Sequence, residues 1–354
     1  MATGWPMKTT YANGDVYSAS DVNDITGTIN QLGKSVAYTA GKNVILNSDF
    51  RIWQRGTSFT AAGYTADRWT IALGGGSGAN TTSQQSFTAG TAPVAGYEGQ
   101  YFLRWNQTTG ASGNPTLIQK IEDVRTFAGQ TVTLSFWAKV ASAGTPLASI
   151  VLAQDFGSGG SGTVNATLVN SPSLTTSWTR YTYSVAVPSI SGKTLGTGNN
   201  LSLVFYGNAS TTYTFDIWGV QVEQGSTATA FQTATGTIAG ELAACQRYYE
   251  RINLPTGNTQ NFGLGTIPGG NVFDITYNFK VEKRSGTQTL DYANVAVYVT
   301  AFGVYSGGTI ANTSGNTMAQ CVRYTHTSSP WSGTQVGWMY GNTSNAYLGF
   351  GAEL

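Results

Sequence analysis

Apolar and polar residues alternate strictly in segment after segment of this chain. In Thr131–Val140, Val132, Leu134, Phe136, Ala138 and Val140 take one parity, and Thr133, Ser135, Trp137 and Lys139 take the other. In 179–188, Tyr181, Tyr183, Val185 and Val187 share one face, and 148–154 and 201–205 carry further strand runs. A period of two puts successive side chains on opposite faces of a strand, so each segment can bury only one face. No long amphipathic helix interrupts the pattern between 44 and 232, and turns rich in Gly, Ser, Thr and Asn separate the runs. Roughly eight or more strands in about 190 residues predict a two-sheet sandwich, most simply a jelly roll.

Two stretches frame that sandwich. The first, 44–69, opens with Val44, Ile45 and Leu46, breaks at Asn47-Ser48-Asp49, and resumes with Phe50, Ile52 and Trp53 before Asp67-Arg68-Trp69. The second, 213–223, has Tyr213, Phe215 and Ile217 on one parity, then Trp218, Val220 and Val222 on the other. We expect these to be the first and last strands of one sandwich. A β-bulge near Gly219 would account for the change of parity.

Beyond the sandwich, 237–252 (TIAGELAACQRYYERI) reads as a helix with Leu242, Cys245, Tyr249 and Ile252 on one stripe. Strand patterning then resumes. Phe273, Ile275, Tyr277, Phe279 and Val281 alternate, as do Val295, Val297 and Val299, and Ala346, Leu348, Phe350, Ala352 and Leu354. These predict a second β domain of four to six strands. The expected fold is mainly β, in three parts: an arm with a short helix at 1–43, the jelly roll at 44–232, and a helix plus smaller β domain at 233–354.

The first 43 residues lack a core of their own. Trp5-Pro6, Tyr11 and the Asn13-Gly14-Asp15 turn read as an extended arm. Ser20 is a good N-cap for a helix with Val22, Ile25, Ile29, Leu32 and Val36 at heptad-like spacing. Gly27 and Gly33 leave it too weak to stand alone. It either docks on its own domain or joins a small oligomeric bundle. Residues 37–43 read as a polar linker.

Composition narrows the partners. Only 10% of the 354 residues are charged and the formal net charge is +1, with no Lys/Arg run, so the footprint of a nucleic-acid binder is missing. No segment approaches the ~18 apolar residues of a membrane helix, and MATGWPMKTT lacks the apolar core of a signal peptide. Cys245 and Cys321 make no disulfide framework and read as free thiols.

Three stretches resemble tailed-bacteriophage fibre, collar and minor tail proteins. TGWPMKTTYANGDVYSASDVNDITGTIN is similar to their particle-attachment segment. NVILNSDFRIWQRG, YTADRW, FWAK and FDIWGVQVEQG are similar to the carbohydrate-binding-module-like jelly roll found in such proteins. GELAACQRYYERI and the closing LGFGAEL are similar to their C-terminal part. The resemblance implies a virion fibre or receptor-binding role on the phage tail, collar or capsid surface, with homotrimeric assembly and attachment to other virion proteins through Trp5 and the Val22, Ile25, Ile29, Leu32 seam. The neutral, hydroxyl-rich surface without an export signal or disulfides reads as that of a protein assembled in a bacterial cytoplasm, a combination that suits a virion component.

In such jelly rolls, acids and carbonyls of the first and last strands often hold a structural calcium ion, which would place Asn47, Asp49 and Asp216 as ligands. Ile217 stands where a second acid is common, so the same residues also read as hydrogen-bonded structural acids. Asp67-Arg68-Trp69 reads as a buried anchor, with the guanidinium on a carboxylate and an aromatic face. Catalysis has little to work with. His326 is the one histidine, and Glu98, Glu122-Asp123 and Asp155 are the only loosely grouped acids of the sandwich, so no enzyme is expected and a polysaccharide depolymerase is a distant alternative. Sugar binding is better supplied, since 12% of residues are aromatic. Tyr97 and Tyr101 near Glu98, and Tyr305, His326, Trp331, Trp338 and Tyr340 in the last domain, read as exposed rings for a glycan, a receptor or a neighbouring subunit. A purely structural collar, neck or decorating fibre is the rival reading.

Overall fold

A computed structural model describes residues 41–76, 78–94, 97–142, 144–254, 261–328, 330–331, 335–343 and 345–354. The expected arm and helix, with Trp5, Val22, Ile25, Ile29 and Leu32, lie outside the described residues.

The sandwich consists of two six-stranded antiparallel sheets. The first runs edge to edge through Ser58–Phe59 (β1), Ala79–Ser86 (β4), Tyr101–Thr109 (β5), Tyr213–Gln224 (β12), Thr131–Val140 (β7) and Thr179–Ala186 (β10). The second runs through Gly63–Tyr64 (β2), Trp69–Ala72 (β3), Thr116–Glu122 (β6), Asn200–Gly207 (β11), Leu147–Asp155 (β8) and Val164–Asn170 (β9). Their inner faces meet in one core, where Leu134, Phe136 and Ala138 of β7 face Ile150, Leu152, Leu203 and Phe205, all buried. The alternation read from the sequence places these side chains as expected.

The two framing stretches are neighbours, but only the second is a strand. Residues 44–53 run beside β12 as a turn-rich segment, with Val44 N donating to Val222 O at 3.2 Å and Val220 N donating to Ser48 O at 3.0 Å. Positive φ at Asn47 (49°) and Phe50 (55°) breaks the extended geometry. The Asn47 amide holds that turn by donating to Ile52 O and Asp67 O and accepting from Ile52 N. Asn43 is buried rather than part of a free linker. It donates to Val220 O and Gln232 O and accepts from Val222 N.

The bulge at Gly219 is present, with φ of 64° and a register shift between Trp218 and Gln221. Its effect is the reverse of the one expected. The extra residue returns Val220 and Val222 to the same inner face as Phe215 and Ile217, and of these apolar residues Trp218 alone turns outward.

The helix is half its expected length. α1 spans Ile238–Gln246, with Thr237 as N-cap accepting from Gly240 N at 3.1 Å. The rest of the segment is the strand Tyr249–Asn253 (β13), so Leu242, Cys245, Tyr249 and Ile252 do not form one stripe; Leu242 is exposed. β13 pairs along its length with Tyr347–Gly351 (β22), and that ladder overrides a helical continuation. Buried Glu241 turns α1 toward the sandwich by accepting from Asn47 N at 2.8 Å and Thr235 N at 2.7 Å.

The last domain holds more strands than expected. One sheet is β13, β22 and Thr289–Ala293 (β16). The other has seven strands in the order Gly303–Tyr305 (β18), Val295–Val299 (β17), Val336–Gly341 (β21), Asn261–Gly269 (β14), Val272–Asn278 (β15), Ala319–Thr325 (β20) and Thr309–Gly315 (β19). Phe273, Ile275, Val297, Met339, Leu348 and Phe350 form its core.

Candidate functional site

The outer face of the β1–β10 sheet carries three successive rows of side chains. At one end, Phe102, Trp137 and Trp218 are covered by Phe231, Tyr97 and Phe87, a second small apolar cluster outside the sandwich. Trp218 meets Phe231 at 4.9 Å and Trp137 at 5.5 Å between ring centroids. The segment leading to Phe231 is pinned by Glu223, which accepts from Thr229 N at 2.8 Å and Thr229 Oγ1 at 2.7 Å. Trp178 closes this end of the open face, half-buried against Phe102 at 5.2 Å.

The middle row is ionic. Arg104 of β5 and Lys139 of β7 stand directly opposite Asp216 of β12. Arg104 forks onto the carboxylate at 2.7 and 2.9 Å. Its guanidinium is held above the ordinary arginine range by that hydrogen bonding, against the opposing effect of partial burial. The Lys139 ammonium lies 3.8 Å from Asp216 Oδ2, beyond hydrogen-bond reach, and 5.4 Å from the centre of Trp178. Arg180 of β10 belongs to the aromatic row instead, directly opposite Trp137, where it stands over that ring at 4.7 Å and donates to Ser135 Oγ and Thr229 O. Burial lowers its pKa, and its Nε has no partner among the described residues.

Two residues along each strand, the face becomes neutral. Asn106, Thr108, Ser142, Thr212 and Thr214 line an open cleft of about 390 Å³ at the ends of β5, β7 and β12. Thr214 Oγ1 donates to Asn106 Oδ1 at 3.0 Å. Gln107 secures the floor by donating to Asn208 O, Ala209 O and Thr211 O, which anchors the loop before β12. Open amides and hydroxyls are groups that hydrogen-bond a sugar, and a half-exposed indole further along the face is one that stacks on its ring.

The residues singled out from sequence fall elsewhere. Asp49 accepts from Arg51 Nε at 2.6 Å and Tyr97 OH at 3.1 Å, and Asp216 is held by Arg104. Asn47 is spent on its own turn. Asp49 and Asp216 thus each have an arginine partner from within the chain. Among the described residues, no group of three or more His, Cys, Asp or Glu side chains is arranged to hold a metal ion. Glu122 accepts from Tyr248 OH, Asp123 pairs with Arg125, Asp155 accepts from Gly157 N and Glu98 accepts from Gly90 N, and Glu122 and Asp155 stand on either side of Asn200 in one cross-strand row.

In the last domain Trp331 and Tyr340 are buried, contrary to expectation. Trp331 packs edge-on against half-buried Tyr305 at 5.1 Å, and Tyr305 against His326 at 5.3 Å, so the three rings serve mainly one another. Trp338 is half-exposed on β21 and stacks on Tyr298 at 4.4 Å. Beside it lie Leu264 (74% exposed) and Val336 (58%), framing an almost wholly apolar hollow of about 510 Å³. Leu264, Trp338 and Tyr298 are direct cross-strand neighbours on the outer face of the seven-stranded sheet.

No protein-family model and no curated protein matches the chain. Several solved structures are distantly similar. A putative sugar-binding protein from Bacteroides thetaiotaomicron is 14% identical over 52% of this chain and 100% of its own, at a TM-score of 0.33. A family 11 carbohydrate-binding module from Clostridium thermocellum, in complex with a β-1,3-1,4-mixed-linked tetrasaccharide, is 13% identical over 48% of this chain and 94% of its own, at 0.30. A cyclase from Fischerella sp. TAU is 14% identical over 53% of this chain and 99% of its own, at 0.36.

The outer face of the β1–β10 sheet had no sequence signature. Its members come from positions 102–108, 137–142, 178–180 and 212–218, and only the strand register assembles them.

Proposed function

We propose that this protein is a non-enzymatic adhesion component of a tailed-bacteriophage virion, and that its sandwich holds a host-surface saccharide on the outer face of the β1–β10 sheet. One observation carries the binding half: the amide- and hydroxyl-lined cleft at Asn106, Thr108, Ser142, Thr212 and Thr214, continuous with the open face that ends at Trp178. The virion half is supported by the three sequence stretches that resemble phage fibre and collar proteins. A shallow open cleft supports weak binding at each site. Several copies on one particle raise the effective affinity by orders of magnitude.

A second observation favours an assembly role for the last domain. The exposed strip of Leu264, Val336, Trp338 and Tyr298 has almost no polar lining, which suits a protein surface better than a sugar. The strip runs across three neighbouring strands, β14, β21 and β17, in the middle part of the seven-stranded face. We assign it to contact with further copies of this chain, in keeping with a homotrimer.

Titration of the full chain with a panel of neutral and acidic oligosaccharides tests the binding half. The double variant Asn106→Ala/Thr214→Ala should keep its thermal midpoint and lose about tenfold or more in affinity. A wild-type chain that binds no member of the panel contradicts the reading.

A further inference from the structure

We infer that the saccharide held on this face is anionic, with a carboxylate or similar charged group seated against Lys139 and Arg104. This rests on the glycan-binding reading of the same face.

The chain is sparing with charge, at 10% of residues and a net +1, and no Lys/Arg run is visible in its sequence. The fold nevertheless brings Arg104 and Lys139 from two strands to either side of Asp216 on one sheet face, while Arg180, one row on, is committed to Ser135 Oγ and to Thr229 O beside Glu223. Glu223, further along the same face, is already matched by Lys42 at 3.2 Å. Asp216 offers two oxygens and Arg104 takes both. The Lys139 ammonium, at 3.8 Å and about one-third exposed, therefore keeps its three donors for another acceptor.

The position of that ammonium fits a sugar. Lys139 stands opposite Asp216, and the hydroxyl- and amide-bearing Thr214 and Asn106 occupy the next row, one side-chain repeat away or roughly 7 Å. Trp178 lies on its other side at 5.4 Å. A saccharide whose hydroxyls meet Asn106 and Thr214 in the cleft thus brings the carboxylate of a neighbouring ring toward Lys139, on the side of the face that ends at Trp178. A purely neutral glycan would offer no counter-charge to Lys139, which shares Asp216 with Arg104 and stands beyond hydrogen-bond distance of it. Because the group is exposed, its effect on binding is screened by salt.

The test uses the full chain and matched ligands that differ only in charge: oligogalacturonate against its methyl ester, and hyaluronan oligosaccharides against their carboxyl-reduced form. At low ionic strength the acidic member of at least one pair should bind about tenfold or more tightly than its neutral twin, and the gap should narrow as salt is added. Lys139→Gln should abolish the gap, so that the acidic member binds the variant no more tightly than its neutral twin does. Asn106→Ala/Thr214→Ala should weaken both members together. Equal binding of both twins, or a preference that survives Lys139→Gln, overturns the inference and leaves the glycan reading standing. Binding to neither pair, with binding to neutral β-glucans, does the same. No binding to any of these saccharides overturns both.

Discussion

The guanidinium of Arg68 stands over the Tyr248 ring, 3.4 Å from its centroid, and joins the turn before β3 to the segment between α1 and β13. The same group pairs with Glu353 and donates to Lys120 O at 2.8 Å, although it is 98% buried. Arg55 repeats the arrangement, 3.4 Å from the Tyr249 ring and 3.1 Å from Glu353. Sandwich and last domain therefore share one polar, desolvated junction.

Arg68→Ala removes the centre of that junction and leaves Glu353 without its nearest cation. Breaking a buried pair from one side costs roughly 3–5 kcal/mol. Calorimetry should show a single transition for the wild-type chain and two separated transitions for the variant.

Lys283 and Glu250 form a second buried pair at 2.9 Å, both side chains wholly inaccessible. Glu250 also accepts from Tyr277 OH at 2.7 Å. Lys283→Met strands the carboxylate and should cost roughly 3–5 kcal/mol. Adding Glu250→Gln keeps an acceptor for Tyr277 and removes the charge. Denaturant titration should show the double variant recovering at least half of the loss.

Glu223 makes one part of the binding face sensitive to acid. Burial pushes its carboxyl up, but the bonds from the Thr229 amide and hydroxyl, Gln221 and Lys42 outweigh burial and hold it below the ordinary 4.5. A carboxyl depressed by folding stabilises the fold above its unfolded value, and that contribution is lost as pH falls through the lower folded value. The thermal midpoint should therefore drop below pH 4.5, and drop less steeply in Glu223→Gln.

Gly219 is required by the bulge. Its φ of 64° is strained for any side chain, and an added Cβ would meet Trp137 Cε3 at 2.8 Å. Gly219→Ala should cost about 1–3 kcal/mol and alter the near-ultraviolet dichroism of the Trp137–Trp218 pair.

The apolar strip gives an independent prediction about assembly. Leu264→Asp/Val336→Asp should reduce the solution mass to that of one chain without lowering the thermal midpoint, measured by light scattering. A wild-type chain that is already monomeric contradicts the assembly role.

Period-two patterning made the sandwich core legible, because burial on one face constrains every second residue of β7 and β10. Regions decided by pairing rather than periodicity were not. YYERI reads equally well as a helix turn or a strand, and β22 decides for the strand. The Asp67-Arg68-Trp69 anchor was legible as an arginine on an aromatic ring and a carboxylate, but its partners Tyr248 and Glu353 lie far along the chain. Trp331 sits among polar loop residues and is nonetheless buried, since Tyr305 and Tyr324 come from other strands to cover it. The binding face was illegible for the same reason: Arg104, Lys139 and Asp216 are unremarkable singly and meet only through the register of β5, β12 and β7.

Hydrogen–deuterium exchange of the full chain, with and without a bound oligosaccharide, tests the central claim most directly. The account predicts slowed exchange in 101–109, 137–142 and 212–216, the strands that carry Arg104, Asn106, Lys139 and Thr214. Protection confined to the seven-stranded sheet of the last domain, with none on β5, β7 or β12, would contradict it.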